Sequence, residues 1–251
     1  MRQQRPKFSG IYTDAILYET SVRDLTKSPT INATHPGKYA SFTEEGLTTK
    51  EGTPAGIDYI KDLGITHIQL MPVYDFASID ESDPEASYNW GYDPAQYNVP
   101  EGSYSLDPDD PYQRINELKK LVDDIHGAGL RVTMDVVYNH THNTGPQGST
   151  YDAMVPKHYY RLEPDGSYSN GSGVGNEVAT EKLMARKFIL EPDEICIGLE
   201  IRIPFDHHQQ ALQGRGQCSL GLLEPGEGRR VVDQLARVVH LHLADPAARL
   251  D

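Results

Sequence analysis

Alternating strand-like and helix-like stretches in the first three quarters of the chain predict an α/β protein built from parallel βαβ units. Three observations carry this. Apolar, β-branched and aromatic residues cluster as short strands near 16–22, 66–73 and 131–138. Between them apolar residues recur at helical spacing, and Pro, Gly and Asp punctuate the joins. Parallel strands need a crossover to carry the chain back, and a helix is the usual one.

The first strand is expected over Ala15-Ile16-Leu17-Tyr18-Glu19-Thr20-Ser21-Val22. After a Gly/Thr/Lys-rich loop, Thr53-Pro54 predicts a helix N-cap followed by Pro at the first helical position. Ile57, Ile60 and Leu63 then fall on one face and Gly64 stops the helix. Thr66 to Val73 is the second strand, and a long polar stretch rich in Asp, Tyr and Pro follows it. Asp110-Pro111 opens a second helix with Ile115, Leu118, Leu121, Val122 and Ile125 on one face, closed by Gly127 and Gly129. Arg131 to Tyr138 is the third strand.

The bulk properties exclude several partners. The 251 residues carry a formal net charge of −14, so phosphate backbones and anionic membranes are repelled while a neutral sugar is not. No apolar run approaches the ~20 residues of a membrane span. The basic start, Met1 to Lys7, has no apolar stretch behind it, so no secretory signal is expected and a cytoplasmic location is. Cys196 and Cys218 lie far apart and indicate no disulfide framework.

Chemistry in such folds gathers at the C-terminal ends of strands and in the loops that follow. Tyr88-Asn89-Trp90-Gly91-Tyr92-Asp93-Pro94 follows the second strand and holds the single Trp of the chain. Aromatic faces stack on sugar C–H faces and Asp or Asn grips hydroxyls; a turn packed beneath a loop would use the same residues. Asp135-Val136-Val137-Tyr138-Asn139-His140 ends the third strand. A carboxylate within a strand is costly unless hydrogen-bonded or functional, so Asp135 is either a site residue or an acid that holds a loop. His140 is either a ligand donor or a surface residue. His140-Thr141-His142 points its two imidazoles to opposite sides of an extended chain and is no zinc site. Gly171-Ser172-Gly173-Val174-Gly175 follows no strand and lacks Lys-Ser/Thr, so it is a flexible loop and not a phosphate cradle. No metal and no cofactor is expected.

Taken together these segments resemble glycoside hydrolase family 13, the α-amylase family, and its type I pullulanases. Asp135 to His140 is similar to the signature at the end of barrel strand three, and Tyr88 to Pro94 resembles a pullulanase signature. Tyr18 to Asp24, Leu63 to Val73 and Gly173 to Ala179 support it, and the resemblance spans 11–190. It implies an incomplete TIM (β/α)8 barrel, about its first three βα units, acting on α-1,6 bonds of an α-glucan oligosaccharide or polysaccharide. By the resemblance, Tyr92 stacks on the sugar and His140 binds a hydroxyl of the same sugar. Trp90 and Asp93 join the substrate-binding set, and Asp135 and Asn139 are structural at the site.

The resemblance also implies two catalytic carboxylates on strands four and five, about 5–5.5 Å apart in a retaining enzyme. No catalytic residue is recognisable in this chain. Arg202-Ile203-Pro204-Phe205-Asp206 echoes the strand-four run only faintly, and Pro204 would interrupt the strand. Composition changes near position 191: every Tyr, Lys and Asn lies before it, and both Cys after it. Residues 1–191 are therefore read as the N-terminal part of the catalytic barrel, and 192–251 as a tail from a frame change or junction. Four readings stand: a debranching hydrolase by descent, inactive as this truncated chain; a non-catalytic α-glucan binder; a fragment without function; and a small open α/β sheet with an unrelated ligand. The last is disfavoured because no Gly-rich phosphate turn follows the first strand.

Overall fold

The computed structural model describes residues 5–190 and the pair Cys218–Ser219. In chain order a 3-10 turn (Tyr12–Asp14) leads into β1 (Leu17–Thr20), α1 (Tyr39–Phe42) and α2 (Gly56–Asp62). Next come β2 (His67–Leu70), β3 (Tyr74–Phe76), β4 (Pro94–Pro100), α3 (Pro111–Gly127) and β5 (Arg131–Val136). α4 (Thr150–Met154), α5 (Leu183–Leu190) and β6 (Cys218–Ser219) complete the described elements.

The three expected strands pair in parallel, β1 with β2 and β2 with β5. Their register puts Glu19 beside Gln69 and Gln69 beside Thr133. Each observed strand is shorter than its pattern, β5 at the site end and β1 and β2 at both ends. β6 lies against β5 in the antiparallel sense, with Ser219 beside Asp135 and Cys218 beside Val136. The rest of the 192–251 tail lies outside the described residues.

α3 forms as the sequence indicates. Asp110 caps it by accepting from Tyr112 N at 2.9 Å, and Pro111 takes the first helical position. Its end is a Schellman turn: Leu130 N donates to Ile125 O and Gly129 N to His126 O, with Gly129 at φ +80°. Leu118, Leu121, Val122 and Ile125 are buried against Ile57, Ile60, Ile68 and Leu70. This layer of α2 and α3 on the sheet is the principal core.

Two expectations need correction. α2 does not begin at Thr53-Pro54; its N-cap is Ala55. Residues 47–55 fold back on themselves instead, with Ala55 N donating to Leu47 O and Thr49 N to Thr53 O, so Pro54 sits in a bridge opposite Thr48. Local pairing outcompetes the helix start. The polar stretch after β2 is not all loop, since β3 and β4 make an antiparallel hairpin. β4 begins with Pro94 and ends with Pro100, so its bounding prolines disguised it; strand ends are where Pro is tolerated. Among the described residues no helix is long and apolar enough to cross a membrane.

Candidate functional site

The site lies where β2 and β5 end and where the 77–93 loop returns from β3 to β4. Gly91 decides how that loop sits. It has φ +88°, and a Cβ there would lie 2.8 Å from Pro72 Cβ and 2.9 Å from Phe76 Cδ1. Only glycine permits both the left-handed turn and the approach to the β2 end. Asn89 braces the turn, its Oδ1 accepting from Gly91 N at 2.8 Å and its Nδ2 donating to Asp93 Oδ1 at 2.8 Å. Asp93 Oδ2 accepts from Ser78 N at 3.0 Å, and His142 Nδ1 is 3.4 Å from it. Asp93, assigned to the sugar by resemblance, thus ties the base of the loop.

Tyr92 crosses to the other strand end. Its hydroxyl donates to Asp135 Oδ2 at 2.8 Å. Burial, and then the Asp135 charge, raise the Tyr92 phenol well above its ordinary value, so it remains a donor. Burial also raises the Asp135 carboxyl, while the Tyr92 hydrogen bond pulls the other way. His140 is 9% exposed. Its Nε2 donates to Tyr92 O at 3.0 Å and its Nδ1 lies 2.9 Å from Asn139 Oδ1. Desolvation lowers its pKa and favours the neutral ring. Five of the six expected site residues therefore form one connected group: Tyr92, Asp93, Asp135, Asn139 and His140. In this arrangement both imidazole nitrogens already face protein groups, and His140 directs the Tyr92 backbone.

Trp90 stands apart, 61% exposed at the loop surface. Its neighbour Tyr88 is pinned, with its hydroxyl donating to Asp24 Oδ2 at 2.6 Å and the Arg23 guanidinium 5.1 Å from its ring centre. Trp90 is the most exposed aromatic side chain of this loop.

Sequence reading gave no site roles to five further contributors, Glu19, Gln69, Thr133, Asn176 and Tyr97. Glu19, Gln69 and Thr133 stand in one register row, and Asp135 lies two positions beyond Thr133 on the same face. Gln69 Nε2 donates to Glu19 Oε1 at 3.0 Å, and the Glu19 charge bears on both Tyr92 and Asp135. Polar residues inside strands were the available signal. Asn176 exchanges hydrogen bonds with the Thr141 backbone at 3.0 and 2.7 Å, and Val178 N donates to Asn139 O at 3.0 Å. The 173–179 stretch thereby clamps the mouth of β5. Tyr97 holds it from below, donating to His140 O at 2.5 Å. Among the described residues, carboxylates close enough to share a cation occur at Asp75 in β3, Glu81 in the 77–93 loop and Glu101 directly after β4.

The parallel sheet thus carries an aromatic, a carboxylate and an imidazole side chain at its C-terminal mouth. The profile of the α-amylase catalytic domain matches residues 34–165, and the chain belongs to that family. Within it the chain is similar to the pullulanase of Bacillus subtilis (strain 168), 44% identical over 178 residues, covering 71% of this chain and 24% of that protein. Pullulanase A of Streptococcus pneumoniae serotype 4 is 35% identical over 240 residues, covering 86% of this chain and 18% of that protein. That share of this chain exceeds what 1–191 supply, so the match runs into the C-terminal stretch. The crystal structure of Paenibacillus barengoltzii pullulanase in complex with maltohexaose and α-cyclodextrin superposes with a TM-score of 0.72 at 46% identity, covering 76% of this chain and 29% of that one. The chain spans only 18% to 29% of the length of these relatives.

Proposed function

We propose that this chain is the N-terminal part of the catalytic barrel of an α-glucan debranching enzyme, one that hydrolyses α-1,6 bonds in pullulan, glycogen or starch products. The observation that carries this reading is the Tyr92–Asp135 hydrogen bond. It joins the two segments with the strongest resemblance at the strand ends. Tyr92 offers its ring to a sugar face, Trp90 a second aromatic surface, and His140 keeps the Tyr92 backbone in place. Hydrolysis in the parent enzyme proceeds with retention, through a nucleophilic carboxylate and an acid about 5–5.5 Å apart.

The 251-residue chain by itself binds α-glucan without cleaving it. Supporting this, no run in the sequence matches the strand-four nucleophile segment, and losing nucleophile and acid together costs many orders of magnitude in rate. Titration of the purified chain with maltotetraose, followed by Trp90 emission, tests binding; a reducing-sugar assay on pullulan tests cleavage. Saturable binding without turnover is expected. Turnover abolished by a substitution within the chain would overturn the second part, and no binding at millimolar sugar would overturn the first. A separate origin for 192–251 belongs to the same proposal. The loss of Tyr, Lys and Asn after 191, and Pro192 directly behind α5, support it. It must survive the match to pullulanase A that runs past 191. Sequencing the locus in all frames decides it, and the same tail encoded in close relatives would end the idea.

A further inference from the structure

The turn that follows β1 reaches the site loop through Arg23 and Asp24, and the proposed function gives neither a role. The base of this turn is held. Val22 is buried in the principal core, and the Ser21 Oγ accepts from Arg23 N at 3.1 Å and from Asp24 N at 3.4 Å. The side chain of one residue thus fixes the backbone of the next three. From this base, Asp24 Oδ2 accepts from the Tyr88 hydroxyl at 2.6 Å. The Arg23 guanidinium, 3.2 Å from Asp24 Oδ1, lies 5.1 Å from the Tyr88 ring centre. A charged acceptor at the hydroxyl and a cation near the ring together set where the phenol lies.

Tyr88 passes this order on to Trp90. Burial, and then the Asp24 hydrogen bond, push the Tyr88 phenol up to about 12, so it remains a donor; the Trp90 indole N–H bears on the same hydroxyl and acts in the opposite sense. The sequence of groups is therefore carboxylate, phenol, indole: Asp24 accepts from Tyr88, and the Tyr88 oxygen faces the Trp90 donor. An indole has a single polar atom. Engaging it turns one edge of the ring toward Tyr88 and still leaves the residue 61% exposed.

We propose that Asp24 and Tyr88 are positioning residues of the sugar site: from the end of β1 they hold the Trp90 indole in the orientation in which a neutral sugar stacks on it. The proposal rests on Trp90 as a sugar surface, as read above. Its energetic weight falls on binding and not on the fold. Tyr88 is 48% exposed and the Asp24 side chain 46%, and such exposed contacts contribute little to stability. A side chain already ordered before the ligand arrives loses less freedom on binding, and this favours affinity.

Trp90 is the single Trp, so acrylamide quenching of the full chain reads the state of its indole without sugar, and calorimetric titration with maltotetraose reads binding. Tyr88→Phe and Asp24→Ala should each raise quenching and weaken maltotetraose binding by about 3- to 10-fold, the worth of ordering one side chain. The unfolding equilibrium in urea should change by less than about 5-fold. Asp24→Asn keeps an acceptor oxygen for Tyr88 and should stay within about 2-fold of the parent in both measurements. Lys27→Ala removes a second tie between the same loops, the Lys27–Glu85 ion pair, and should alter neither. Quenching unchanged in both Tyr88→Phe and Asp24→Ala overturns the proposal, as does raised quenching with unchanged affinity. An Asp24→Asn chain that behaves as the alanine variant also overturns it. So does an equal loss in Lys27→Ala, because tethering of the whole loop would then be the cause. A parent chain that binds no maltotetraose overturns the glucan reading instead, and the quenching series still decides whether Asp24 and Tyr88 orient Trp90.

Discussion

The Tyr92 hydroxyl donates to Asp135 Oδ2 at 2.8 Å across 43 residues of sequence. It connects a loop that follows the second parallel strand to the end of the third. Asp135 is half-buried with Glu19 nearby, so this donor is its principal compensation among side chains. Tyr92→Phe keeps the ring and removes the donor. It should destabilise the chain by about 1.5–3 kcal/mol, the range for a hydrogen bond to a charged group. Urea unfolding at neutral pH measures this, and a loss below about 0.3 kcal/mol would show that solvent already serves Asp135.

Gly91→Ala should cost about 1–3 kcal/mol, because a left-handed backbone and close contacts with Pro72 and Phe76 are both violated. Its emission spectrum should also shift, since Trp90 is the adjacent residue. A variant as stable as the parent with unchanged emission would mean that the loop is not held against the β2 end.

Leu118→Ala should cost about 2–5 kcal/mol, as for other fully buried leucines. Leu118 is 1% exposed and lies at the contact of α3 with the sheet. A cooperative denaturant transition of both proteins provides the comparison. If the parent shows no such transition, the described parallel sheet does not hold as a cooperative unit in solution.

His140 contributes on the acid side. Burial lowers its pKa in the fold, so its contribution is fully present above the ordinary imidazole value and is lost as pH falls through the lowered one. His140→Gln should flatten this part of the stability curve between about pH 7 and 5. An acid limb of the same slope in both proteins would show that the ring is charged or solvated as freely in the folded chain as in the unfolded one.

Much of this architecture was legible because it is local. The α3 boundaries follow from Asp110, Pro111 and Gly129, whose effects act within a turn. The three strands follow from period-two runs of β-branched residues. The family likeness rested on short contiguous runs, which need no tertiary knowledge. Where the reading failed, a backbone pairing that the local pattern did not mark had won. Thr53-Pro54 carries the local marks of a helix start, but the 47–55 segment satisfies its backbone by folding on itself. The β3–β4 hairpin was hidden because Pro94 and Pro100 bound one of its strands.

By itself the sequence determined the α/β class, the parallel strand order of its pattern, the residue types of the site and their place at strand ends. Only the tertiary structure decided what those residues do to one another. Asp93 ties the loop base, His140 turns inward to the Tyr92 backbone, and Trp90 stays exposed. The reason is physical. Residue type sets which bonds a side chain can make, but a buried polar group takes whichever partner the packing brings within about 3 Å, and that partner is often tens of residues away.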